Sequence, residues 1–162
     1  MIGGKVLYYM YQEYAIVKLS QKITWEMSTE ISALFSFLLK NTALRIIYLD
    51  MSETSHVDST ILGTIVHLKK DADHNTVKVV ICSPLKQCET ILIDVGLNKV
   101  LKIDNGPPPK MEFASELLFG TEKTIQEIEA LIKDAHEELV KLNDKNKQQF
   151  SSVIDTFNAN PL

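Results

Sequence analysis

The chain has 162 residues, of which 45% are apolar and 23% charged, and a net charge of −4. That length suits one domain with an appendage, and no apolar run approaches the ~20 residues that a membrane span needs. With no concentrated basic run, nucleic-acid binding has little electrostatic support. The opening "MIGGKVLYYMYQEY" lacks the charged, apolar, then small layout of a secretory signal, so a cytoplasmic protein is expected. Cys82 and Cys88 are too few for a disulfide framework and are not spaced as a metal pair; neither a metal nor a cofactor is expected.

"KVLYYMYQ" (5–12) and "YAIVKLS" (14–20) are rich in β-branched and aromatic residues and read as a hairpin turning at Gln12–Glu13. Over 24–41 the period changes: Met27, Ile31, Leu34, Phe35 and Leu38 share one helical face, with Thr24 as the N-cap. "LRIIYLDM" (44–51) is a near-continuous apolar run, as expected of a strand covered on both faces. A loop over 52–57 should follow, then a helix from Ser59 to about Ala72, on which Leu62, Ile65 and Val66 share a stripe. "TVKVVIC" (76–82) is a strand. Ser83 at the N-cap, Pro84 in the first turn and Gly96 just past the end frame a helix over 83–96. "KVLKI" (99–103) is a last short strand. This order predicts an α/β fold: a mostly parallel or mixed sheet of about five strands with crossover helices.

The three prolines of "DNGPPPK" mark a boundary, with a domain over 1–104, a stiff linker over 105–110 and a helical extension over 111–162. In the extension Thr121 is the expected cap, and Ile125, Ile128, Ile132, Ala135, Leu139 and Leu142 recur with alternating spacings of three and four, a seam of about three heptads. Phe150, Val153, Ile154 and Phe157 resume it in shifted phase. Such a seam has to be covered, by its own domain, by a second copy in a homodimer, or by a partner.

The segment "HVDSTILG" (56–63) joins strand to helix. An Asp or Ser oxygen there can cap the helix. The same position offers a second use: a serine at a helix N-terminus is exposed beside free N–H groups and the positive dipole end, where a phosphate is accommodated.

"IIYLDMSETSHVDSTILGTIVHL" resembles the core segment of the STAS domain of bacterial anti-sigma factor antagonists. Asp58, Ser59, Thr60, Leu62 and Gly63 match the family's Asp-Ser-Ser/Thr-Gly-Leu-Gly motif, with Ile61 in place of the first of its glycines. Ser83, Pro84, Gly96 and Leu97 match a second signature downstream. The resemblance covers about the first two-thirds of the chain. It implies a binding module, not an enzyme, acting in signal transduction to transcription. Its partners would be an anti-sigma factor that is itself a serine kinase, and a phosphatase. It further implies Ser59 as the phosphoacceptor, with Thr60 second, and a contact surface drawn from Asp50, Ser52, Glu53, His56, Asp58, Thr60 and Leu62. Asp50, Glu53 and Asp58 make the region acidic, so added phosphate would increase repulsion from an acidic partner rim.

Three rival readings are weaker or coarser. A hydrolase would need a G-x-S-x-G elbow, which is absent; His56 and His67 stand near Ser59 in sequence only. A receiver domain acylphosphorylated on Asp50 would need an acidic pair and a lysine that "YMYQEY" and "KIDNGPPPK" do not supply. A STAS scaffold without a switch, serving in a signalling assembly or beside a lipid or anion transporter, would place the helical extension in the assembly contact.

Overall fold

The structure, a computed structural model, describes residues 3–159. The ends of the domain (1–104) and of the extension (111–162) as read from sequence thus reach beyond the described residues. Strands β1 (Lys5–Tyr11) and β2 (Tyr14–Ile23) form the expected hairpin, in register from Lys5↔Ser20 to Tyr11↔Tyr14. A 3-10 turn, Trp25–Met27, leads into α1 (Ser28–Leu39). Then come β3 (Ile46–Val57), α2 (Ser59–His74), β4 (Lys78–Cys82), α3 (Lys86–Asp94) and β5 (Lys102–Asp104). Past the prolines lie β6 (Ser115–Glu116), α4 (Ile125–Val140) and α5 (Asp144–Ala159). The strands form one sheet in the order β5-β4-β3-β2-β1-β6, parallel from β2 to β5 and antiparallel on both sides of β1.

Strand alternation sorts the side chains. Ala15, Val17 and Leu19 of β2, Ile47, Leu49 and Met51 of β3, and Val79 and Ile81 of β4 meet Ile31, Phe35 and Leu38 of α1, Ile65 and Leu68 of α2, and Leu92 of α3 in one core. Each of these side chains larger than alanine contributes about 1.5–3 kcal/mol on burial. The other sheet face carries Tyr9, Tyr11, Tyr14 and Tyr48, whose neighbouring ring centroids lie 6.0 to 6.3 Å apart.

β5 and β6 occupy opposite edges of the sheet. The segment 105–114 therefore has to cross from one edge to the other. Five strand spacings are about 24 Å, and ten extended residues reach about 33 Å, so a stiff Pro-rich run suits the task. Burial, then Tyr14 and Glu112, raise the pKa of Tyr9.

Several local expectations are corrected. Ser52–Val57 is not a loop: β3 continues through it, paired to β2 at Ser20↔Glu53, Gln21↔Thr54 and Lys22↔His56 across two bulges. The polar run hid the strand because much of its outer edge faces solvent. Thr24 makes no side-chain cap. Nor does Ser83, which takes a left-handed φ of 50° and donates to the Gly106 carbonyl at 2.9 Å; α3 begins only at Lys86. Gly96 does end that region in the left-handed conformation, at φ 85°. The extension is not wholly helical, since β6 adds a sixth strand. Its first helix starts later than Thr121 predicts, at a Thr124–Glu127 capping box.

The seam of the extension is covered by the chain's own domain. Ala135 and Leu139 of α4 and Phe150 of α5 are buried, while Ile125 at the start of α4 stays 60% exposed. α4 lies directly on α2: a Cβ on Gly63 would stand 2.1 Å from the Ala135 carbonyl oxygen, so only glycine permits the approach. The α4–α5 turn then docks on the C-terminus of α3. Buried Asn146 donates from Nδ2 to the Val95 carbonyl (2.8 Å) and the Leu139 carbonyl (3.0 Å), and Asn143 also donates to Val95 (3.2 Å). The bonds to Val95 satisfy a carbonyl of the kind that a helix end leaves unpaired.

Candidate regulatory site at the start of the second helix

β3 ends at Val57, and Asp58 in extended conformation caps α2. Its two carboxylate oxygens serve two chain segments. Oδ1 accepts from the Ile61 N–H at 3.0 Å, and Oδ2 accepts from the Trp25 N–H at 2.7 Å. One aspartate thus ties the start of α2 to the 3-10 turn before α1. The capping duty belongs to Asp58, which leaves the Ser59 hydroxyl free for another partner.

That partner is in the extension. Ser59 Oγ and His136 Nε2 are 2.9 Å apart, and His136 Nδ1 is 2.7 Å from the Ile132 carbonyl. A carbonyl can only accept, so Nδ1 carries the proton there. In the neutral ring, Nε2 then accepts from the Ser59 hydroxyl. His136 is 5% exposed, and its ring meets Phe150 edge-on with centroids 5.4 Å apart. Helix α4 therefore seats an imidazole over the first turn of α2 and holds it from both sides.

Ile61, the departure from the family motif, is 1% exposed and faces the core beneath α2. It fills apolar space and leaves the approach to Ser59 as it was. Thr60 and Leu62 are buried, so neither offers a free outer face. Asp50 is also buried, with Oδ1 accepting from the Ser52 N–H at 3.0 Å. It lies roughly 20–25 Å back along the strand from Asp58 and does not join Ser59 in one site. Glu53 and His56 are exposed. Glu53 binds Lys18 at 2.7 Å and accepts from Ser20 at 3.1 Å, and the Lys18 bond, then the Ser20 bond, lower its pKa.

The histidines near Ser59 in sequence are not those near it in space. His67 sits on the outer surface of α2, 3.3 Å from Asp71. His136, which does reach Ser59, is 77 positions away. Two faint signals pointed to it: Gly63 inside a helix, which lets a second helix approach, and a histidine beside the Ala135 seam position. A serine within hydrogen-bond reach of a histidine is also how a nucleophile meets its base. Here the far ring nitrogen is held by a carbonyl of its own helix, not by a carboxylate. A groove of about 300 Å³ between α1, α2 and α4 is lined by Phe35, Gly63, His67, Leu131, Ala135 and Glu138 among others, and by neither Ser59 nor His136. Among the described residues, no cluster of three His, Cys, Asp or Glu side chains could hold a metal, and no helix is long and apolar enough to cross a membrane.

The family model of the STAS domain matches residues 6–107. The chain belongs to the STAS domain family. Similar solved structures include a candidate anti-sigma factor antagonist from Thermotoga maritima, with a TM-score of 0.54 and 22% identity, covering 60% of this chain and 83% of that one. The anti-sigma factor antagonist SpoIIAA in its unphosphorylated form is similar with a TM-score of 0.55 and 15% identity, over 61% of this chain and 86% of its own. The Bacillus cell fate determinant SpoIIAA in its phosphorylated form gives 0.51 and 15%, over 61% and 89%. At these identities the likeness is one of fold. The family match ends at residue 107, so β6, α4 and α5 of this STAS protein lie beyond it.

Proposed function

We propose that this STAS protein is a cytoplasmic regulatory binding module of the anti-sigma factor antagonist kind, switched at Ser59 by a partner serine kinase and reset by a phosphatase. The observation that carries the reading is the division of labour at the start of α2. Asp58 takes the capping bonds, and the hydroxyl of Ser59 is left at the helix N-terminus without a structural duty inside its own domain. In the forward step the γ-phosphoryl group of ATP passes to Ser59 Oγ. The bond from Oγ to phosphorus forms, the bond from phosphorus to the bridging oxygen breaks, ADP leaves, and the hydroxyl proton is released. The module itself catalyses nothing: it is bound or not bound. Exposed Glu53 and His56, together with Asp58, would border the partner contact.

The test is binding to the anti-sigma factor of the same organism, with phosphopeptide mapping of the protein taken from its host. Ser59→Asp is expected to bind at least about tenfold more weakly, equivalent to 1.4 kcal/mol, and Ser59→Ala to bind regardless of kinase activity. Equal binding by all three forms, with no phosphate on Ser59 under any condition, would leave the second reading. In that reading the chain is an unswitched scaffold subunit of a signalling or lipid- or anion-transport assembly; the engagement of Ser59 by the extension favours it.

A further inference from the structure

The first turn of α2 already has an occupant, namely α4 of the same chain. We propose that a docked α4 and a substituted or partner-bound Ser59 exclude each other, so that Ser59 is the latch of the C-terminal helical hairpin and release of that hairpin is the output of the site. The inference deepens the reading of Ser59 as a switch and rests on it for its biological trigger, but not for its test.

Geometry supplies the exclusion. Ser59 Oγ and His136 Nε2 are separated by one hydrogen bond, 2.9 Å, which leaves no room for a phosphorus atom and its oxygens. The ring cannot turn aside freely, because Nδ1 is bonded to the Ile132 carbonyl and one edge packs on Phe150. Nor can α4 give way by a small shift while keeping its seat, since its backbone rests against α2 at Gly63. Charge acts in the same direction. In the neutral ring Nε2 presents a lone pair to Ser59, and the preceding residue, Asp58, is a carboxylate, so a phosphate dianion there meets a lone pair and a like charge. A partner protein that reaches Ser59 encounters the same obstacle, because His136 bonds Ser59 and Ala135 closes on Gly63 one turn further along α2. The surface exposed by release is specific: the Gly63 face of α2, and on the hairpin Ala135, Leu139 and Phe150, which are buried only while it is docked.

The experiment uses the full chain with phosphoserine installed at position 59 during expression, so that no kinase is involved, and compares amide hydrogen exchange with the unmodified protein. Residues 125–140 are expected to exchange at least about tenfold faster while the strands Ile46–Val57 and Lys78–Cys82 keep their protection, as local release without global unfolding requires. An α4 that stays as protected as before would mean that His136 accepts the phosphate as an imidazolium, and would overturn the proposal. A second arm decides independently. In Ser59→Cys the thiol replaces the hydroxyl under α4, and its reaction with N-ethylmaleimide reads the cover directly. The two native thiols are buried, and burial, then Asp50 and Asp104, push Cys82 up to about 11, so their background is slow. Adding Ala135→Glu on the hairpin should speed labelling of the new thiol at least about tenfold; equal rates with and without it would overturn the latch. Absence of phosphate on Ser59 in the host would defeat the kinase switch alone and leave both of these results standing.

Discussion

From Lys5 to Asp104 the chain buries an unbroken set of aliphatic side chains on one face of a sheet, whereas from Ser115 to Ala159 it buries Ala135, Leu139 and Phe150 and adds a few polar ties. Those ties include the Asn143 and Asn146 bonds to the end of α3, the ion pairs of Lys123 with Glu30 at 3.3 Å and of Lys70 with Glu138, the β1–β6 pairing, and Ser59 with His136. The difference is one of cooperativity. A core in which each strand is covered by helices fails all at once. A wrap held by a handful of anchors can leave while the sheet stays intact. The second kind of attachment is what a switch needs, because each tie is small beside the stability of the domain it rests on.

The largest effect should come from the domain core. Leu49→Ala removes a fully buried side chain of β3 and is expected to cost about 3 kcal/mol in denaturant unfolding, moving every probe together. Leu139→Ala deletes an equally buried side chain of α4 and should cost about 2 kcal/mol, but locally. Exchange in α4 and α5 should rise while the global midpoint moves little. If L139A lowers the midpoint as L49A does, the two regions are one cooperative unit and the contrast fails.

A smaller effect is expected at the junction. Asp58→Ala removes the acceptor for both the Trp25 and Ile61 N–H groups and should cost about 1–2 kcal/mol, with α1 and α2 both fraying at their starts. Hydrogen exchange at Ile61 and in the turn before α1 checks it, and an effect confined to α2 would remove the tie between them.

The smallest effect concerns the edge of the proposed contact, at Glu53. Its bond to Lys18 lowers its folded-state pKa. The pair therefore adds stability above the unfolded-state value and loses it as pH falls through the lowered one. Lys18→Met should bring the Glu53 titration, followed by NMR, back toward the ordinary carboxylate range, with only a slight change in stability because the Glu53 side chain is 58% exposed.

Local rules carried most of the domain. The strand–helix alternation, the hairpin at Gln12–Glu13, the left-handed Gly96 and the Asp58–Ser59 junction all follow from periodicity and turn chemistry within a few residues. They failed where a distant group took over a local task. Thr24 looked like a cap, but the Trp25 N–H is served by Asp58, which only the fold brings near. Ser83 looked like another, but its hydroxyl reaches forward to Gly106. The polar stretch Ser52–Val57 looked like a loop because its hydrogen bonds go to β2, a partner that composition does not reveal.

By itself, then, the order of residues determined an α/β domain, a Pro-rich linker, an amphipathic extension and a serine at the mouth of a helix, because each depends on near neighbours in the chain. Which oxygen caps that helix, where the extension's seam is buried, and that a histidine 77 positions away meets the serine were decided only in three dimensions. The last two depend on how closely two helix backbones can approach at Gly63, a property of the packed pair that neither helix carries alone.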